Sequence, residues 1–177
     1  QMSQLNKINA FTELGTFLSQ FSLSENTKNP SVKLNDAYFD RFISLIELSQ
    51  SHNGWFTPEQ VYFAIQSWSE ALTKENINRW LSSYTFSNKE PMRVGLILAG
   101  NIPLVGFHDF LSVIISGHHA VVKTSSNDQK LLPFLAEYLI AVEPELQKCI
   151  TFTEGKLENF DAVIATDDEL VAKATIN

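Results

Sequence analysis

Arg93-Val94-Gly95-Leu96-Ile97-Leu98-Ala99-Gly100-Asn101-Ile102-Pro103-Leu104 opens the stretch that decides the fold, and the stretch closes at Ala120-Val121-Val122-Lys123. Val94, Leu96, Ile97 and Leu98 form a short apolar run, the pattern of a strand buried on both faces in a parallel sheet. Gly100 permits a sharp turn, and Pro103 suits the first turn of a helix. Phe107, Phe110, Leu111, Ile114 and Ile115 recur at helical spacing, and Gly117 ends the helix. Ala120–Lys123 is the next strand. Strand, glycine turn, helix and strand make a βαβ unit. Its ligands belong at the carboxyl ends of the strands, where a helix N-terminus favours anions.

Beyond Lys123, Ser126 or Asn127 can cap a helix carrying Leu131, Leu132, Leu135 and Leu139, which must end before Pro144. Ile150–Thr153 and 161–165 read as third and fourth strands. Gly155 to Asn159 is a turn or short helix, and Asp167 and Asp168 are placed to cap a further helix. Upstream, residues 4–22 carry Leu5, Ile8, Phe11, Leu14, Phe17, Leu18 and Phe21 at helical spacing. Asn35 can cap a second helix, and Thr57-Pro58-Glu59-Gln60 is a capping-box start for a third. Thr73 starts a fourth. The expected architecture is α/β: N-terminal helices over residues 1–90, then a doubly wound parallel sheet over 91–177.

The 177 residues, 44% of them hydrophobic, can bury a real core. A net charge of -7 without a lysine-rich run argues against nucleic acid or an anionic membrane as partner. The single cysteine, Cys149, excludes an internal disulfide and suits a reducing compartment. No apolar run reaches the roughly 20 residues that span a bilayer, and the start is not a secretory signal. The expectation is a cytoplasmic protein.

Gly100 and Asn101, Lys123 and Thr124, Glu154 and Gly155, and Thr166 and Asp167 follow the four strands, gathering glycine and polar groups on one edge as a nucleotide crevice requires. Gly100 and Gly106 are too far apart for the GxGxxG fingerprint, and no GxxxxGK loop is present. Asn101 can donate its amide to an oxyanion or cap a helix. Lys123 can hold ribose hydroxyls or phosphate, or snorkel to the surface. Cys149 reads as a structural thiol. His108, His118 and His119 lack metal spacing and read as structural or solvated.

The runs 100–110 (Gly-Asn-Ile-Pro-Leu-Val-Gly-Phe-His-Asp-Phe), 122–126, 152–155 and 159–166, with 53–59, resemble acyl-CoA reductases of the LuxC type, members of the aldehyde dehydrogenase superfamily. The resemblance implies reduction of a fatty acyl thioester, on CoA or a carrier protein, to an aldehyde by NADPH or NADH through an acyl-cysteine. It implies that 91–177 is part of a Rossmann-like, aldehyde-dehydrogenase-like cofactor domain, and that the protein self-associates. Asn101 matches the asparagine supporting the oxyanion, and Lys123 the lysine contacting the adenosine ribose. Gly100 and Ser125 adjoin the cofactor. Ser126 stands where NAD-specific members place a glutamate, which leans the choice towards NADPH.

Two features depart from that pattern. Asp167 and Asp168 stand where a Gly-Ser pair meets the pyrophosphate, and two carboxylates there would repel it. Cys149 does not match the catalytic cysteine, which belongs well beyond Thr166. The resemblance therefore implies an amino-terminal part of the enzyme, inactive by itself. The same departures motivate a second reading, a non-catalytic nucleotide-binding or protein-interaction module.

Overall fold

The computed structural model describes residues 2–52, 54, 56–98, 102–124 and 130–165. Four helices come first: α1 (Gln4–Leu18), α2 (Asn35–His52), α3 (Pro58–Ala71) and α4 (Lys74–Leu81). There follow β1 (Arg93–Ile97), α5 (Phe107–Ile115), β2 (His119–Lys123), α6 (Leu131–Val142), a 3-10 helix (Pro144–Cys149), β3 (Ile150–Thr153) and β4 (Ala162–Ala165). All strand pairs are parallel, in the order β3-β2-β1-β4, which is a Rossmann-like arrangement. No helix among the described residues is long and apolar enough to cross a membrane.

Side-chain caps set three of the helix starts, those of α1, α3 and α4. Thr57 accepts from the Gln60 N–H at 3.2 Å while the Gln60 side chain accepts from the Thr57 N–H at 3.2 Å, closing the expected capping box with Pro58 behind it. Thr73 caps α4 through the Asn76 N–H. Asn35 does not cap α2. Its amide is buried, exchanging hydrogen bonds with Gln20 at 2.6 and 2.9 Å and donating to the Asn29 carbonyl at 2.7 Å. It is spent on tying the 20–35 connection together.

One face of the sheet carries Val94, Leu96, Ala120, Val122 and Ile150, and packs into a core with α5, α6 and the N-terminal helices. Helix α1 lies against α3, α5 and α6 and is buried on most sides. Phe11, fully buried, meets Phe107 and Phe110 edge-on at 6.2 and 6.4 Å. Phe17 stacks on Tyr138 with centroids 4.5 Å apart. The Tyr138 hydroxyl donates to the Lys33 carbonyl at 2.9 Å, so even this fully buried ring satisfies its polar end.

The opposite face is covered by the connection from β3 to β4. Residues 154–161 make this crossover without a helix, fewer than the usual dozen or so. Leu157 from it packs on Ile97 and Val121, with Val163 and Ala165 alongside. Gly95 makes room: a Cβ there would lie 2.6 Å from Leu157 Cδ2 and 3.2 Å from Val163 Cγ2. The end of the crossover is held by Arg93, whose Nε donates to the Asn159 carbonyl at 2.7 Å and whose N–H donates to Asp161 Oδ2 at 2.8 Å. Gly95→Val is expected to lower stability by about 1–2 kcal/mol, because the leucine can shift only partly. Leu157→Ala in the same chain should recover part of that loss in urea titrations, where two unrelated defects would simply add.

Candidate functional site

In the order β3-β2-β1-β4 the chain leaves β1 towards β2 and returns on the other side as β4. The topological switch point thus lies between β1 and β4, and the crevice opens at their carboxyl ends. The register puts Thr153, Lys123, Ile97 and Ala165 in one row across that rim. Lys123 is half-buried on β2, one strand from the switch. Its Cβ shares the sheet face of Ile97, since in-register partners point the same way. Among the described residues no carboxylate forms an ion pair with it. Its carbonyl accepts the Leu98 N–H at 3.3 Å, extending the ladder one residue past β1.

Asn101, Gly100, Ser125 and Ser126 lie outside the described residues, as do Asn127, Thr166, Asp167 and Asp168. Leu98 and Thr124, the described residues just before the first two of these stretches, are both buried at the rim. Of the residues expected to contact cofactor or substrate, Lys123 is the one whose position is described; Thr124, Glu154 and Gly155, expected at the same edge, are described too and follow β2 and β3.

The entry to α5 differs from expectation. The helix starts at Phe107 rather than at Pro103. Residues 103–106 form turns in which Leu104 takes φ 58° and accepts the Phe107 N–H at 3.0 Å. A left-handed residue cannot continue a right-handed helix, so the helix is postponed to Gly106 as N-cap. Gly106 makes a contact that its spacing conceals. A Cβ there would run into the end of the Leu98 side chain, so glycine lets α5 pack closely against the end of β1 without displacing that leucine. Close helix–strand packing is the role of the third glycine in dinucleotide folds. The signal for it was present in the sequence, a glycine just before an apolar helix. The start of α6 is likewise later than a cap at Ser126 or Asn127 predicts: Lys130 precedes the helix, with no side-chain cap bond.

Cys149 and the histidines of the β2 entry sit on the other edge of the sheet. Cys149 ends the 3-10 helix just before β3, and burial pushes its thiol above the ordinary value, with Lys7 opposing weakly. A protonated, buried thiol is a poor nucleophile, in keeping with its expected structural role. His118 Nδ1 accepts the Met92 N–H at 3.0 Å. Burial lowers the pKa of His119, helped by the positive charges of Arg93 and Lys7.

The chemistry this arrangement allows is the binding of an anionic, hydroxyl-rich ligand at a glycine-bordered rim. A half-buried lysine without a carboxylate partner, beside the switch point of a parallel sheet, suits a nucleotide's ribose or phosphate. Lys123 is thus chemically compatible with a nucleotide cofactor. No curated protein matched the chain. The family model described as acyl-CoA reductase (LuxC) matches residues 49–172, which include the whole sheet and α3 to α6. With most of its length matched in this way, the chain belongs to the LuxC acyl-CoA reductase family.

Proposed function

We propose that the carboxyl rim of this sheet holds NADPH, with NADH as the weaker alternative, for reduction of a fatty acyl thioester to an aldehyde. What supports the reading most is Lys123, which stands in register between Ile97 and Thr153 beside the switch point, with no ion-pair partner among the described residues. Its ammonium would donate to the adenosine ribose hydroxyls. Ser125 and Ser126 would follow it around the same ribose, and a serine at 126 leaves room for a 2′-phosphate without charge repulsion. Gly100 would let the backbone approach the cofactor. When bound, the nicotinamide supplies a hydride. The Asn101 amide would donate a hydrogen bond to the carbonyl oxygen of the acyl group, where negative charge builds as the carbon becomes tetrahedral. The acyl group itself would be carried as a thioester on a cysteine other than Cys149, whose burial and position on the opposite edge disqualify it.

Titration of the chain with NADPH and with NADH, followed by nucleotide fluorescence, tests this. Lys123→Ala is expected to weaken NADPH binding roughly tenfold or more, the worth of a charge-assisted hydrogen bond. Ser126→Glu should weaken NADPH more than NADH. Binding indifferent to Lys123 would remove the cradle.

A further inference from the structure

Lys7 lies in the first half of α1 and is only 8% exposed. Among the described residues its ammonium has neither a hydrogen bond nor an ion pair. The stem of Lys7 is buried, while its ammonium reaches the water of the adjoining cleft with no counter-charge from a described residue on it. Lys7 lines a cleft of about 570 Å³ at the amino edge of the sheet, the edge away from Lys123. The cleft is formed by the start of α1, the 84–89 segment that leads into β1, and the turn from α5 into β2.

Its lining has one electrical character. Lys7 and Lys89 supply two cations, and no carboxylate is among the described residues around it, although the chain carries net charge -7. His118 adds a donor: with Nδ1 accepting from Met92, the neutral ring carries its proton on Nε2. Ser87 and Asn88 add polar groups from the exposed 84–89 segment. The N-terminus of α1 opens at Ser3 and Gln4, and its first turn holds no acidic residue to offset the helix dipole. Glu90 follows Lys89 outside the lining, and Glu145 lines a separate cavity of about 190 Å³ that also reaches Lys7; neither makes an ion pair with Lys7 or Lys89.

We propose that this cleft is a second anion site, which binds a phosphate group between Lys7, held by its buried stem, and Lys89 on the surface. The phosphate comes from a free inorganic anion or from a phosphorylated nucleotide, since a cleft of this size admits either.

Calorimetry and thermal unfolding of the full chain with inorganic phosphate, and separately with adenosine 3′,5′-bisphosphate, test the site against sodium chloride at matched ionic strength. Saturable binding with a rise in Tm is expected for at least one of the two, and which one responds identifies the source. Lys7→Met keeps the aliphatic stem and removes the charge. It should weaken binding roughly tenfold or more. Lys89→Ala, on an exposed residue, should weaken it as well and guards against a folding defect in the first variant. Lys123→Ala should leave the phosphate response intact, which separates this cleft from the carboxyl rim. Absence of saturable binding, or binding that ignores both Lys7 and Lys89, or binding abolished only by Lys123→Ala, overturns the proposal.

Discussion

Phe11→Ala is expected to remove about 3–5 kcal/mol of folding stability, a large share of the 5–15 kcal/mol typical of a natural protein. The ring is fully buried, and its removal opens a cavity on two rings that are themselves fully buried, Phe107 and Phe110. The effect should reach both parts of the chain. Phe11 belongs to the N-terminal helices, whereas Phe107 and Phe110 belong to the helix that joins β1 to β2. Far-ultraviolet circular dichroism and tryptophan fluorescence, the latter reporting on Trp68 beside Phe107 at 4.6 Å, should therefore show coincident transitions shifted by the same amount. A loss below about 1 kcal/mol would contradict the packing. Two separate transitions would show instead that the helices over 1–90 and the sheet over 91–177 unfold as independent units.

The second large effect is at Gly15, and there two principles predict opposite signs. Alanine is favoured over glycine inside a helix by about 1 kcal/mol. At this position, however, a Cβ would lie 2.6 Å from the Leu72 carbonyl oxygen and 2.7 Å from Leu72 Cβ. These atoms belong to, or are fixed by, the backbone at the end of α3, so no rotamer change relieves the clash and the two helices must separate. Overpacking of this kind costs about 3 kcal/mol or more, so Gly15→Ala should destabilise by a net 2–3 kcal/mol or so. Gly155→Ala, where a Cβ meets nothing within 4 Å, serves as the control and should be nearly neutral in the same denaturant titration. A stabilised Gly15→Ala chain would mean that α1 and α3 lie further apart than described.

Most of what local chemistry governs was legible in the sequence. Ile150–Thr153 is a strand as expected, and Thr57 and Thr73 cap the helices they were expected to cap. Gly117 takes φ 93° at the end of α5, as a glycine stop should. The misses share a physical cause: each depends on a neighbour distant in sequence or on a conformation that a residue type only permits. Asn35 has the chemistry of a cap, yet Gln20 competes for its amide. Pro103 can open a helix, but Leu104 in a left-handed conformation prevents it. The 3-10 helix Pro144–Cys149 carries no periodicity long enough to notice. The small size of Gly95 and Gly106 is explained only by Leu157 and Leu98. At the candidate site, residue types at strand ends could be read in advance. The strand order, which makes the rim beside Lys123 a switch point, required the structure. Lys7 shows the same limit from the other side: one lysine on a mixed polar and apolar helix says nothing by itself, and the burial of its stem without a partner for its charge is a tertiary fact.

The sheet's strand order also bears on how the chain is made. β1 is an inner strand, but one of its edges is matched by β4, and the bond from the Arg93 N–H to Asp161 spans 68 positions. At ribosomal speeds of about 5–20 residues per second, a nascent chain carries Val94–Ile97 with that edge unmatched for roughly 3–14 s. Throughout this interval the strand is a template for any other extended segment nearby. The yield of active protein in a cell therefore depends on translation pace and on chaperones that shield the emerging strand, as well as on the stability of the finished fold.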